Sequence, residues 1–350
     1  LCPKDWLASQ PNKAKGHFHA EPISTGDSTM ALANRSIGYG EVVTRDLHFT
    51  ISPETVARHW FSGDPWMTHW MNGILAAVPD GERWVMNSAR RQLDKLTDPE
   101  VHKAALEFIR QERIHAREHE LMNAVAVHHG VPLDKVEGIF KKIRTQLQNR
   151  LSDDMQSSIA AAFEHMTAII ASILLEHPEL FDDTHPELAA MLYWHFVEET
   201  EHKSVSFDVF VDSSGGGTRG YALRVGGMAL ATLIGLPLMV GNQAYLLYKD
   251  RQLGNWRSAL RMSRLLFSKP GVLARVLAST LPYYSPTFHP WDDDNRTTIR
   301  IWKRAYEETG DPRQAYLALR EAKRKVGTGS ITVRTAQDAR TTRKSSASAA

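Results

Sequence analysis

Two short runs in this sequence have the residue types and spacing of a metal site: Glu112-Arg-Ile-His115 and Glu199-Thr-Glu-His202. Positions i and i+3 share one face of a helix, so a carboxylate and an imidazole there can hold one cation between them. Two facing helices of this kind, with a glutamate from each of two more, form the inward-pointing ligand set of a carboxylate-bridged di-metal bundle. Glu82 and Glu164 are the candidates for the remaining two carboxylates. Four carboxylates and two imidazoles balance two divalent ions. A donor set of oxygen and imidazole nitrogen without thiolate suits iron or manganese, with zinc a third choice.

The neighbouring residues favour ligands over a solvated ion-pair face. One helix face reads Ala105, Ile109, Glu112, His115, His119, Met122, Ala126. A second reads Leu188, Leu192, His195, Glu199, His202, Ser206, Val209, and a third Ala160, Glu164, Ala168, Ala171, Leu175. In each, charge interrupts a stripe that should face a core, and a buried unpaired carboxylate costs several kcal/mol. His195 lies one turn before Glu199 and is a candidate extra ligand; His119, one turn after His115, is expected as a supporting donor behind the ligands. His165 should point away from Glu164's face, and His128 and His129 should be exposed. Glu82 is the least secure on local grounds, because an acid at a helix start also favours the macrodipole.

The elements that must carry these residues are helices. Ser52-Pro53-Glu54 marks a helix start, running to about Ala77 with an interruption near Gly63-Asp64-Pro65, and Trp60, Trp66 and Trp70 on it read as core or interface aromatics. Pro79-Asp80-Gly81 reads as a turn before a helix that begins at Glu82. Further helices are expected from Asp98 to about His129, over 133–150, from Ser152 to about Glu176, and from Pro186 to about Val211. Residues 36–51 have some strand character, consistent with an extended segment or hairpin on the bundle. The expected organisation is a loose arm over 1–35, a ferritin-like di-metal helical domain over 36–212, a C-terminal helical region over 219–325 and a disordered tail over 326–350. The fold class is all-α. Ser213-Ser-Gly-Gly-Gly-Thr218 reads as a linker.

Composition sets outer limits. With 350 residues, 42% hydrophobic and 23% charged, the chain can bury a large core. A formal net charge of +2 gives no reason to expect a nucleic-acid partner, and a single cysteine, Cys2, excludes an internal disulfide framework or a Cys-rich zinc site. No secretory signal opens the sequence, so a cytoplasmic location is the expectation. From Val225 to Tyr248 there is no charged residue, and Asp250 is the only acid between Arg219 and Thr280, where Arg251, Arg257, Arg261, Arg264, Lys269 and Arg275 also lie. Three roles compete for 225–248: a buried or dimer-interface helix, a membrane-surface or re-entrant segment, and a span. Phosphate-loop, dinucleotide, nucleophile-elbow and His-Glu-x-x-His motifs are absent.

Pro79-Asp80-Gly81-Glu82-Arg83, Gln111-Glu112-Arg-Ile-His115-Ala-Arg-Glu-His119 and Glu198-Glu199-Thr-Glu-His202-Lys203 resemble a bacterial family described as predicted metal-dependent hydrolases, over roughly residues 40–310. That resemblance strengthens Glu82 as a ligand. The His195, Glu199, His202 pattern is also similar to ferritin-like di-iron oxygenases, p-aminobenzoate N-oxygenase in particular. It implies two iron ions held by Glu82, Glu112, His115, Glu164, Glu199 and His202, with His195 as a seventh ligand. The first functional expectation is therefore an O2-activating di-iron oxidoreductase (monooxygenase, N-oxygenase or desaturase) that uses O2, a small-molecule substrate and an electron donor or reductase. The second is a metal-dependent hydrolase with a di-metal-activated water, and the third a non-enzymatic iron-binding protein. Expected partners include a membrane surface and a second copy in a homodimer.

Overall fold

The computed structural model describes residues 42–214, 216–268 and 271–327; the expected arm over 1–35 lies outside them, as does the tail expected over 326–350 apart from residues 326 and 327, which end the last helix. Among the described residues the chain is all-α, with no strand. Its α-helices are α1 (Pro65–Leu75), α2 (Val78–Gln92), α3 (Pro99–His128), α4 (Leu133–Arg150), α5 (Asp153–Glu176), α6 (Pro186–Glu201), α7 (Val205–Ser214), α8 (Gly217–Lys249), α9 (Trp256–Phe267), α10 (Val272–Thr280), α11 (Arg296–Thr309) and α12 (Pro312–Gly327). Several starts follow local capping chemistry. Asp64, Asp98 and Ser152 accept hydrogen bonds from the first-turn N–H groups of α1, α3 and α5, and proline occupies the first turn of α1, α2, α3 and α6.

Helices α2, α3, α5 and α6 form the central bundle, with α7 continuing α6 across a break. Their inner faces merge with later helices. One apolar cluster joins Ile114, Leu174, Leu188, Leu192 and Trp194 to Met262, Leu265, Ile299, Trp302 and Leu319. The C-terminal helices thus pack directly on the helices that carry the candidate ligands. The long helix α8 lies along α5 and α1. Gly227 permits this approach, because a Cβ there would sit 2.1 Å from Ser158 Oγ and 2.9 Å from the Ser158 carbonyl carbon.

Four sequence expectations need correction. The helix from Ser52 does not form; residues 53–56 make only a turn, and the first helix starts at Pro65 on the Asp64 cap. Pro79-Asp80-Gly81 is not a turn before α2 but its opening turn, because proline fits helix N-terminal φ and Gly81 lets the Phe163 ring pack against the backbone, where a Cβ would be 2.4 Å from it. Of residues 36–51, those up to 41 lie outside the described residues, and 42–51 form no strand or hairpin; the segment lies on the bundle, where Val43 O accepts from Gln111 Nε2. The last ligand helix stops at Glu201 and restarts at Val205. Its Lys203 is drawn out to the Asp293 carbonyl and Asn295 Oδ1, while Ser204 Oγ accepts from Trp291 Nε1, so the C-terminal segment holds the break open.

Segment 225–248 lies wholly within α8, and α8 is not a core helix of this chain. Only 17% of its most apolar 18 residues are buried, against 67% for the comparable window of α5. These are the two described helices long and apolar enough to cross a membrane.

Candidate metal centre

Four helices deliver the eight candidate side chains to one buried place: Glu82 from α2, Glu112, His115 and His119 from α3, Glu164 from α5, His195 and Glu199 from α6, and His202 from the residue that caps α6. All are buried. Two groups have donor atoms within 4.8 Å of one another: Glu112, His115, Glu199 and His202 in the first, Glu82, His119 and His195 in the second. Glu199 links them, its Oε1 being 2.8 Å from His195 Nε2 and 3.8 Å from His115 Nδ1. Glu164 stands beside the first group, with Oε2 3.1 Å from His202 Nδ1, and the other nitrogen of that ring is 3.1 Å from Glu112 Oε1. His195 Nε2 is 3.6 Å from Glu82 Oε1.

His119 lies in the Glu82 and His195 group, where its Nε2 is 3.0 Å from His195 Nδ1, the ring nitrogen opposite the one that faces Glu199 and Glu82. His165 turns away as anticipated, to the Ser279 carbonyl and the Tyr283 ring. His128 is exposed, but His129 is only half so, its Nε2 being 2.7 Å from the Val56 carbonyl oxygen.

The donor chemistry fits cations. Both oxygens of Glu82, Glu112 Oε2, His115 Nδ1 and His119 Nδ1 are buried without a hydrogen-bond partner, and Glu112 Oε1, His195 Nε2 and His202 Nε2 have only close carboxylate–imidazole approaches that miss hydrogen-bond geometry. Such groups cost roughly 1–3 kcal/mol each when left unmatched, and more when charged, and shared cations would match them all. The titration behaviour reflects the same strain. Burial, reinforced by the neighbouring carboxylates, pushes Glu82 and Glu112 well above the usual range. Burial, and the charge on Glu199, raise Glu164 to about 7. Burial opposes ionisation of Glu199 too, but His202, His195 and His115 outweigh it and hold that carboxyl low. For His202, burial is outweighed by Glu199, Glu112 and Glu164, which lift it to about 9. Burial and neighbouring imidazoles depress His119 and His195.

A supporting layer sits outside the eight. Glu198 Oε2 is 3.0 Å from His115 Nε2, so with that nitrogen protonated and donating, the Nδ1 lone pair is directed inward. Glu198 is held in turn by Arg45 at 2.8 Å, and Arg45 also grips Glu201 at 2.9 Å. Thr167 Oγ donates to Glu199 Oε2 at 2.8 Å. Sequence reasoning missed these three. Thr167 could have been found, since it lies one turn after Glu164 on the same face; Glu198 and Arg45 have no local signal.

A third His/Asp group, His59, His69 and Asp250, also converges. Here Trp60 donates to Asn72 Oδ1 at 2.9 Å, which turns the Asn72 amide nitrogen toward His69 Nδ1 at 3.5 Å. His69 therefore carries its proton on Nε2 and donates it to Asp250 Oδ2 at 2.9 Å, while Arg58 binds Oδ1 of the same carboxylate. Both oxygens of Asp250 and both nitrogens of His69 have partners, and the cluster ties α1 to the end of α8.

A family model described as predicted metal-dependent hydrolase matches residues 43–294. The chain belongs to this family. No curated protein and no solved structure matches the chain. The match covers all eight candidate ligands and corrects the first functional expectation. It agrees with metal-dependent hydrolysis and lends nothing to an O2-activating oxidoreductase, nor to the iron, O2 and reductase attached to it. That expectation drew on ligand types and spacing, which a carboxylate and imidazole centre shares whether its ions do redox or Lewis-acid chemistry.

Proposed function

We propose that the protein is a hydrolase with a di-metal centre, holding two divalent ions of the manganese-to-zinc series through Glu82, Glu112, His115, Glu164, His195, Glu199 and His202, with His119 as a further donor in the Glu82 group. The observation that carries this reading is the set of buried, unpartnered carboxylate oxygens and imidazole nitrogens around Glu199. Bound ions would supply Lewis acidity, polarising a carbonyl or phosphoryl oxygen and lowering the pKa of a water. The chain's own residues do the rest. Glu199 stands between the two groups as the candidate bridging carboxylate, and Thr167 fixes its second oxygen. Glu198 fixes the His115 ring by its far nitrogen, and burial of the whole set keeps bulk solvent from competing at the reacting atoms.

An apolar cavity beside the centre supports an apolar substrate. A cavity of about 140 Å³ is lined by Trp84, Phe140, Ile159, Phe163, Leu230 and Ile234 among others. It also touches Gly81, and Gly81 and Phe163 are the immediate chain neighbours of Glu82 and Glu164.

The test combines metal analysis with turnover. Purified protein should contain transition metal, lose it to a chelator together with hydrolysis of ester and phosphoester reporters, and regain activity with zinc or manganese under nitrogen. Turnover that survives chelation, or that needs O2, would overturn the proposal.

A further inference from the structure

The outward face of the C-terminal helices is the largest feature that the metal centre leaves unexplained. Along α8, Leu236 and Val240 are 53% and 62% exposed, and Tyr248 is 64% exposed at the helix end. On α9, Trp256 and Phe267 are 67% and 70% exposed, with Leu260 between them. The opposite side of α9 is spent on the bundle: Ser258 binds Asp64, and Met262 and Leu265 join the core. The α8 face nearest the bundle is likewise used, through Gln243 to the Trp66 carbonyl and Asn242 against Gly73. What remains outward is apolar and aromatic, on two consecutive helices that both pack on α1.

Charge distinguishes the occupants. Arg251, Arg257 and Arg264 are exposed, and none forms an ion pair among the described residues. The single acid of the region, Asp250, is already taken by Arg58, His59 and His69. A second copy would bring the same unpaired arginines against these, because a two-fold interface sets like surfaces together. An anionic bilayer satisfies both properties at once. Its headgroups pair with the guanidinium groups, and its acyl boundary takes Trp256, Phe267, Leu236 and Val240.

We propose that the protein docks peripherally on anionic phospholipid membranes through the exposed faces of α8 and α9. Trp256 and Phe267 enter the acyl boundary, Arg251, Arg257 and Arg264 contact lipid phosphates, and the inner side of α8 stays on α5 and α1. This does not depend on the reaction carried out at the metal centre.

The full chain is tested by flotation with vesicles of phosphatidylcholine alone and with about one-third phosphatidylglycerol. Binding to the anionic vesicles only, weakened by salt and released by alkaline carbonate, is the expected result. Arg257→Glu combined with Arg264→Glu should reduce the vesicle partition coefficient roughly thirty-fold or more, at about 1 kcal/mol per basic residue near the surface. Trp256→Ser combined with Phe267→Ser should lower binding to the anionic vesicles as well, without changing its dependence on salt. Both double variants should keep their helical circular dichroism and metal content, since none of the four residues touches the bundle interior. Absence of flotation from wild type would overturn the proposal, as would a stable dimer that buries Trp256 and Phe267. Carbonate-resistant insertion would overturn it in favour of a span through α8.

Discussion

Helices α5 and α8 are matched in apolar character and opposite in use. Both are long enough to cross a membrane, yet 67% of the apolar window of α5 is buried and only 17% of that of α8. On α5 the apolar residues surround Glu164, whose carboxylate faces the His202 ring, and the helix is closed in by α2, α6, α7, α8 and α10. On α8 the polar groups Gln243 and Asn242 face the bundle together with Leu246 and Leu247, while Leu233, Leu236 and Val240 face out. Hydropathy measures how apolar a segment is and carries no information about which side has neighbours. The placement of the few polar residues does: a buried charge with unpartnered neighbours marks an interior site, and outward apolar residues beside unpaired arginines mark a surface that meets something else.

The contrast can be broken by placing a charge on each helix. Ala171→Asp puts a carboxylate in the packed interior of α5, where Ala171 is 1% exposed, and should cost several kcal/mol, seen as loss of the cooperative thermal transition. Leu236→Asp on α8 should leave the melting temperature within a few degrees of wild type. A cooperative melt for the first variant or loss of fold for the second would erase the difference. Next in size, Glu164→Ala should remove much of the bound metal by elemental analysis while Asn242→Ala on α8 leaves it unchanged; the fold need not suffer, since burial already disfavours the Glu164 charge. Gly227→Leu addresses the seam between the helices. With Ser158 backbone 2.9 Å from the new Cβ, it should destabilise by about 1–3 kcal/mol in denaturant titrations and make the α8 amides exchange faster than those of α5. The smallest effect is expected from Thr167→Val, which removes the hydrogen bond to Glu199. Metal affinity should fall about tenfold with stability nearly unchanged, measured by competition with a chelating dye.

Much of the centre was legible because helix periodicity is a local property. The two Glu-x-x-His runs, Glu164 and His195 each lie on a face whose other members are apolar, so their burial follows from spacing alone. Glu82 was harder, since the Pro-Asp-Gly before it has turn chemistry that proline and glycine also bring to a helix N-terminus. The break after Glu201 was not legible, because it is imposed by Trp291, Asp293 and Asn295 some ninety residues away in sequence. The pairing of His119 with the far nitrogen of His195 was not legible either, because sequence gives the face of a helix but not the height at which a facing ring from α6 meets it. The exposed side of α8 could not be read for the same reason: no pattern within 225–248 tells which neighbours α1 and α5 supply.

The Arg45 clasp has a consequence for the order of assembly. Arg45 reaches Glu198 across 153 residues of chain, and Glu198 in turn orients the His115 ring. Contacts of such sequence separation require closing a long loop, so they are disfavoured until much of the intervening bundle exists. A partly folded chain can gather several carboxylates and imidazoles early, but His115 gains its full orientation only when the two distant ends of the bundle have met. Tight metal retention then becomes a signature of completed folding, and a chain truncated past Arg45 would be expected to release its ions faster while its helices stay intact.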